Sequence, residues 1–177
     1  MRNLVQKYGS IIFIAAVIVA LDQWTKSLVR SNLAFGETWL PPSFEWLSPY
    51  ARIVHWYNTG AAFGLFQQGG MVFTALAFIV IAAILYYYPH VEKSDWTLRL
   101  AMSMQLGGAI GNLADRLRIG HVTDFISVGT FPVFNVADAS ISVGAAVLLF
   151  GVWLNERAGK KKSEIIETGQ TSEVGRE

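Results

Sequence analysis

The stretch GGAIGNLADRLRIGHVTDFISVGTFPVFNVADASI, Gly107 to Ile141, decides how this chain is read. It holds Asp115, Arg116, Asp124 and Asp138, with Asn112 and Asn135 beside them. Long apolar segments flank it. Polar side chains at the ends of hydrophobic spans are costly, so their default reading is a functional site.

Working outward, the composition points to a membrane chain. Of 177 residues, 53% are hydrophobic and 15% charged, more apolar and less charged than a typical soluble domain. The apolar residues fall in long uncharged blocks, as membrane spans require. Four spans are expected, at about Tyr8 to Val29, Met71 to Tyr88, Trp96 to Leu113 and Ala139 to Leu154. The third is the weakest by hydropathy, with Arg99 near its start and glycines at its end. Its Gly107 and Gly111 form a G-x-x-x-G, which allows helices to approach closely. Arg2 and Lys7 precede the first block as in a signal peptide. The block runs on into Asp22, Gln23 and Lys26, however, and not into a small-residue cleavage site.

Three prolines, Pro41, Pro42 and Pro49, place Ser31 to Gln68 outside the membrane. Arg52 to Tyr57 is rich in β-formers and Phe35 to Leu40 is a weaker strand, so a small sheet is expected. Trp39, Phe44, Trp46, Trp56 and Tyr57 suit either the membrane interface or the core of that unit. From Lys160 the chain is polar without apolar periodicity and reads as a disordered tail. The organisation is therefore one membrane domain, 1–159, and a tail, 160–177. The basic residues put both termini in the cytoplasm and the polar stretch at the outer face. The net charge of +1 gives no case for nucleic acid. Absence of cysteine excludes disulfides, thiolate metal sites and cysteine nucleophiles.

Several constellations could carry chemistry. Asp22 and Lys26 are four apart on one helix, acid before base, a favourable pair. They form either an interfacial ion pair that snorkels outward or a direct part of a site. Asn112, Asp115 and Arg116 share a helix face, with Gly108 one turn below leaving room for a neighbour. Asp115 reads as a polar clamp between helices, whereas Arg116 can pair with an anion or donate to a peptide carbonyl. Asp124 lies in the loop after the third span and Asp138 opens the fourth. The short excursion lets their carboxylates meet, and two adjacent carboxylates would share a proton. Such a pair can activate water with one member and polarise a carbonyl with the other. The plainer roles are a solvated loop acid for Asp124 and a helix cap for Asp138. Asn58 to Gly64 (NTGAAFG) is a turn of small residues that lets a substrate or backbone come close. Scattered His55, His90 and His121 argue against zinc. An oxygen-ligand Mg²⁺ or Ca²⁺ site and a proton- or cation-coupled transporter using the same acids remain open.

These residues resemble the bacterial lipoprotein signal peptidase (signal peptidase II) family. The resemblance runs through LDQWTK (Leu21 to Lys26), NTGAAFG, GGAIGNLADR (Gly107 to Arg116), GHVTDFI (Gly120 to Ile126) and FNVADASI (Phe134 to Ile141). It implies an all-α membrane protein of four transmembrane helices, with a small extracytoplasmic β-sheet cradle from about residues 31–68 and a short amphipathic helix around Asp115 to Asp138. It implies an aspartic endopeptidase of the bacterial inner membrane that cleaves prolipoproteins on the amino side of a diacylglyceryl-modified cysteine. The implied catalytic pair is Asp124 and Asp138. Asn58, Asn112, Arg116 and Asn135 would position the substrate or support the pair, and Asp22, Lys26 and Asp115 would be structural. No metal or organic cofactor is implied. The expected partners are lipidated prolipoproteins and membrane lipid, and the expected state is a monomer.

Overall fold

The structure, a computed structural model, describes residues 2–60 and 70–174, with side chains described for 7–60 and 70–157. Four long helices dominate: α1 (Arg2–Asn32), α2 (Gly70–Tyr87), α3 (Trp96–Ile119) and α4 (Val136–Val174). A three-stranded antiparallel sheet comprises β1 (Thr38–Trp39), β2 (Ala51–Asn58) and β3 (Val122–Val128), in that order. A 3-10 turn at Pro42–Leu47 lies between the first two strands.

Three helical segments, Lys7–Asn32, Gly70–His90 and Val136–Arg157, are long and apolar enough to cross a membrane. Their exposed faces carry Ile12, Phe13 and Val17 on α1, Ile79 and Val80 on α2, and Leu149 and Phe150 on α4. In water such faces would be an aggregation hazard; in hydrocarbon they are the solvated surface. α3 is not in that apolar set. It sits at the centre instead, packed on α4, α1 and α2, so its Thr97, Ser103, Asn112 and Asp115 face protein.

Glycines make that central position possible. A side chain at Gly107 would strike Ile18 and Ala15 of α1, and one at Gly108 would strike Ala137, Ser140 and Ile141 of α4. At Gly111 it would meet the Asp22 carboxylate at 2.7 Å. The G-x-x-x-G therefore lets α1 close on α3, as small residues do in membrane interfaces. An apolar cluster of Ile11, Ala15, Ile84, Tyr88 and Leu106 holds α1, α2 and α3 together at the opposite end from the sheet.

The sheet departs from the sequence expectation in one respect. β2 covers the predicted Arg52 to Tyr57 strand, and Thr38–Trp39 lies within the weaker candidate. The third strand, however, comes from VTDFISV, a segment expected to be a loop and, by resemblance, to lie near a short amphipathic helix. Among the described residues no helix lies between Ile119 and Val136. The physical reason is in the segment itself: β-branched Val122, Thr123, Ile126 and Val128 suit a pleated surface, and β2 offers an edge to pair with. Gly120, at φ 79°, caps α3 and turns the chain into β3. α4 also exceeds its expected span, continuing as helix to Val174 through the segment expected to be a disordered tail. That segment is rich in Lys and Glu, which are good helix formers.

Candidate active site

The site lies where α1, α3, the start of α4 and β3 meet. β3 pairs with β2 so that Trp56 lies opposite Asp124 and Asn58 opposite Val122. On its other side Phe134 bonds Ile126 through backbone in both directions, at 2.8 and 3.0 Å. This bridge brings the next residue, Asn135, alongside Asp124, and α4 starts there.

The first turn of α4 is closed from two directions. Asn135 Oδ1 accepts the Asp138 amide at 2.9 Å, and Asp138 Oδ2 accepts the Asn135 amide at 3.3 Å. This reciprocal arrangement is a capping box in which Asn135 takes the capping position and Asp138 the third helical one. Asp22 Oδ1, from α1, accepts the Ala137 amide at 2.9 Å. The helix-cap role read for Asp138 is thus present, but as the box partner of Asn135.

Four carboxylates converge in this layer, and they are held in two ways. Asp22 and Asp115 have cations. Lys26 Nζ lies 2.8 Å from Asp22 and 3.3 Å from Asp115, and donates to Asn112 Oδ1 at 2.9 Å. All three ammonium hydrogens thus have acceptors. Arg30 adds a 3.4 Å pair with Asp115 and a 3.0 Å bond to Thr123 Oγ1. Asp115 further accepts from the Thr123 amide at 3.0 Å and from Gln23 at 3.1 Å. It is the interhelical clamp expected of it, and it also secures β3. The Asp22–Lys26 pair does form, but both members are 0% exposed. Outward snorkelling of Lys26 does not occur, because α3 supplies the acceptors Asp115 and Asn112 inside.

Asp124 and Asp138 are held by neutral amides. Asn58 Nδ2 donates to Asp124 Oδ2 at 2.9 Å, and Asn135 Nδ2 donates to Asp124 Oδ1 at 2.7 Å. Asn112 Nδ2 donates to Asp138 Oδ1 at 2.7 Å. Asn135 Nδ2 also reaches Asn112 Oδ1 at 3.1 Å. A chain of amides therefore runs from one carboxylate to the other. Asp124 is 1% exposed. Burial, and then the neighbouring Asp138 charge, push its carboxyl up to about 7, against the lowering effect of the Asn58 and Asn135 bonds. Neutral donors compensate a buried charge less than cations do, so this pair is suited to holding a proton near neutral pH.

A cavity of about 490 Å³ opens beside the pair, lined by Asn58, Gly60, Phe73, Asn112, Arg116 and Asp138, with Phe131 to Phe134 and one face of α4. Asp124 is not in this lining but accepts from the lining residue Asn58. The Arg116 guanidinium is 5.7 Å from the Phe73 ring centroid, and its buried Nε has no partner among the described residues. Arg116 does not stay with Asp115 as one face: a step of 100° along the helix sends Asp115 toward α1 and Arg116 into the cavity. Asn58 also accepts the Gly60 amide at 3.0 Å, fixing its own amide orientation. The rest of NTGAAFG, Ala61 to Gly64, lies outside the described residues.

All nine residues singled out in the sequence fall in this one layer. Gln23, Arg30 and Thr123 complete it and were not singled out. The signal for Arg30 was present: Asp22, Lys26 and Arg30 follow at intervals of four on one helical face. Gln23 and Thr123 offered no such pattern.

Comparison with known proteins converges on one family. The model of signal peptidase II matches residues 14–154. The lipoprotein signal peptidase of Halalkalibacterium halodurans is 37% identical over 153 residues, covering 84% of this chain and 95% of that one. That of Brevibacillus brevis is 39% identical over 150 residues, covering 84% and 95%. Two solved bacterial membrane enzymes superpose with TM-scores of 0.75 and 0.71 at 27% and 28% identity, over 84% and 81% of this chain and 90% and 92% of theirs.

Proposed function

The chain belongs to the signal peptidase II family, and from that membership we propose an aspartic endopeptidase that releases signal peptides from prolipoproteins, cutting before a diacylglyceryl-modified cysteine. The observation that carries the proposal is the amide-held pair, Asp124 and Asp138, beside a cavity lined by Arg116.

The roles divide by environment. Asp138 lines the cavity and stands in the first turn of α4, where the helix dipole favours negative charge. It is the base. Asp124 is buried beside it, linked to it through Asn135 and Asn112, with its carboxyl held near 7, and carries the proton. Asp138 takes a proton from water as the water oxygen attacks the scissile carbonyl carbon. Asp124 gives its proton to the carbonyl oxygen. The tetrahedral intermediate then collapses: its hydroxyl proton returns to Asp124, and Asp138 protonates the departing cysteine nitrogen. No covalent enzyme intermediate forms. Arg116, which lines the cavity, holds a substrate carbonyl. Asn58, Asn112 and Asn135 fix the two carboxylates.

The membrane frame follows the same reading. α3 is a fourth crossing, shielded from lipid by its neighbours. Both termini are cytoplasmic, and the sheet and the aspartates lie at the outer face, where lipid delivers the modified cysteine. The protein acts as a monomer.

The test is cleavage by purified protein in lipid nanodiscs of two precursors, one lipidated and one not. The expected result is a single cut before the lipidated cysteine, identified by product mass, with little turnover of the unlipidated form. Proton or cation flux across liposomes without any cleavage would contradict this reading and favour a transporter.

A further inference from the structure

A second cavity, of about 670 Å³, lies at the end of the bundle opposite the aspartates. Its walls are Ala83, Ile84 and Tyr87 of α2, the segment from His90 to Asp95, and Leu98, Met102 and Gln105 of α3. Its charged lining is acidic: Glu92, and Asp95, whose Oδ1 caps α3 by accepting from the Leu98 amide at 3.0 Å and the Thr97 hydroxyl at 2.8 Å. The nearby cations are turned elsewhere. Arg99 stacks at 4.2 Å on the Tyr88 ring and donates to Val91 O at 3.2 Å, and Lys93 is exposed outside the lining.

One stripe of α3 runs from this cavity to the active-site cavity. Leu98, Met102, Gln105, Ala109, Asn112 and Arg116 follow at alternating steps of four and three, and so form one stripe along α3. Its first three residues line the far cavity, and its last two line the active-site cavity. α1 meets α3 at Gly107, and α4 meets it at Gly108 and beside Gly144. α2 packs on it near Leu106. The stripe runs along the floor between α2 and α4, which hardly touch each other among the described residues; Met102 borders the apolar cluster and Gln105 lies against Gly144 of α4. Gln105 stands midway along it, its side chain making no hydrogen bond among the described residues.

We propose that this face seats the signal peptide of the substrate and that the far cavity reads its basic amino-terminal segment through Glu92 and Asp95. The proposal rests on the peptidase reading and extends it to a site remote from the cut. The lengths agree. From Asp95 to Asn112 is 17 residues, about 26 Å along a helix at 1.5 Å each. A signal peptide core of 7–15 apolar residues spans about 10–22 Å as a helix. Three extended residues leading to the cleavage point add about 10 Å. A basic segment ahead of that core arrives beside the two acids.

The experiment uses full-length protein in nanodiscs and two lipidated precursors identical except at their amino ends. One carries three lysines, the other three glutamines. Wild type is expected to show about fivefold lower KM for the lysine precursor with equal kcat. Glu92→Lys should abolish or reverse that preference while leaving the glutamine precursor unchanged. Glu92 is exposed and bonds only Ser94 among the described residues, so the variant keeps its fold. Equal KM values in wild type, or equal effects of Glu92→Lys on both precursors, would overturn the proposal while leaving cleavage intact. Failure of wild type to cleave either precursor would instead remove the peptidase reading beneath it.

Discussion

Two pairs of aspartates share one buried layer, yet their surroundings differ in kind. Asp22 and Asp115 are gripped by Lys26, and Asp115 also by Arg30. Among the described residues, Asp124 and Asp138 receive only the amides of Asn58, Asn112 and Asn135 and backbone. A cation fixes a carboxylate in its charged form. An amide orients a carboxylate but leaves its proton free to move. On the proposed reading, the same side chain serves as a structural tie on α1 and α3, and as an acid–base group at β3 and α4. What separates the roles is the sign of the neighbours, not depth, because Asp124 is as buried as Asp115.

The sharpest way to break that contrast is to remove the cation. Lys26→Met leaves Asp22 without a cation and Asp115 with only its more distant Arg30 partner. Breaking a buried pair on one side costs about 3–5 kcal/mol. The expected outcome is a protein that unfolds at much lower temperature, checked by thermal unfolding in detergent. Unchanged stability would mean the layer does not depend on charge pairing.

Asn135→Ala touches the amide side and is expected to cost less in stability and more in rate. Loss of the cap is worth about 0.5–2 kcal/mol. Loss of the Asp124 bond leaves that carboxylate less well oriented, so kcat should drop about tenfold or more with little change in KM. Steady-state kinetics beside a melting curve separate the two effects.

The smallest effect is on pH. In the proposed mechanism Asp124 must be protonated to act as the acid, and burial and the Asp138 charge push its carboxyl up to about 7. Turnover should therefore fall as pH rises through about 7, because the proton is lost. A kcat/KM profile from pH 5 to 9 checks the sign. A profile that climbs through 7 would exchange the roles of the two aspartates.

Much of this was legible in the sequence because helical spacing carries the information. The intervals between Asp22 and Lys26, and between Gly107 and Gly111, fix faces before any neighbour is known. β3 was less legible, since VTDFISV becomes a strand only when β2 offers an edge, and that pairing spans some 70 residues. For the same reason Asp124 read as a loop acid. The inward turn of Lys26 was hidden too. Whether a lysine near a span end snorkels or turns inward depends on acceptors from other helices, here Asp115 and Asn112. The split between Asp115 and Arg116 also needed the partners, although a 100° step between them already allowed it.

The most direct test is turnover of a lipidated precursor by Asp138→Asn, with thermal unfolding measured on the same preparation. Asparagine keeps the size of the side chain and cannot take a proton from water. The expected result is a melting temperature within a few degrees of wild type and a loss of at least about a thousandfold in kcat, within the range that acid–base catalysis supplies. Turnover within tenfold of wild type by a folded Asp138→Asn protein would contradict the assignment of the amide-held pair as the catalytic one.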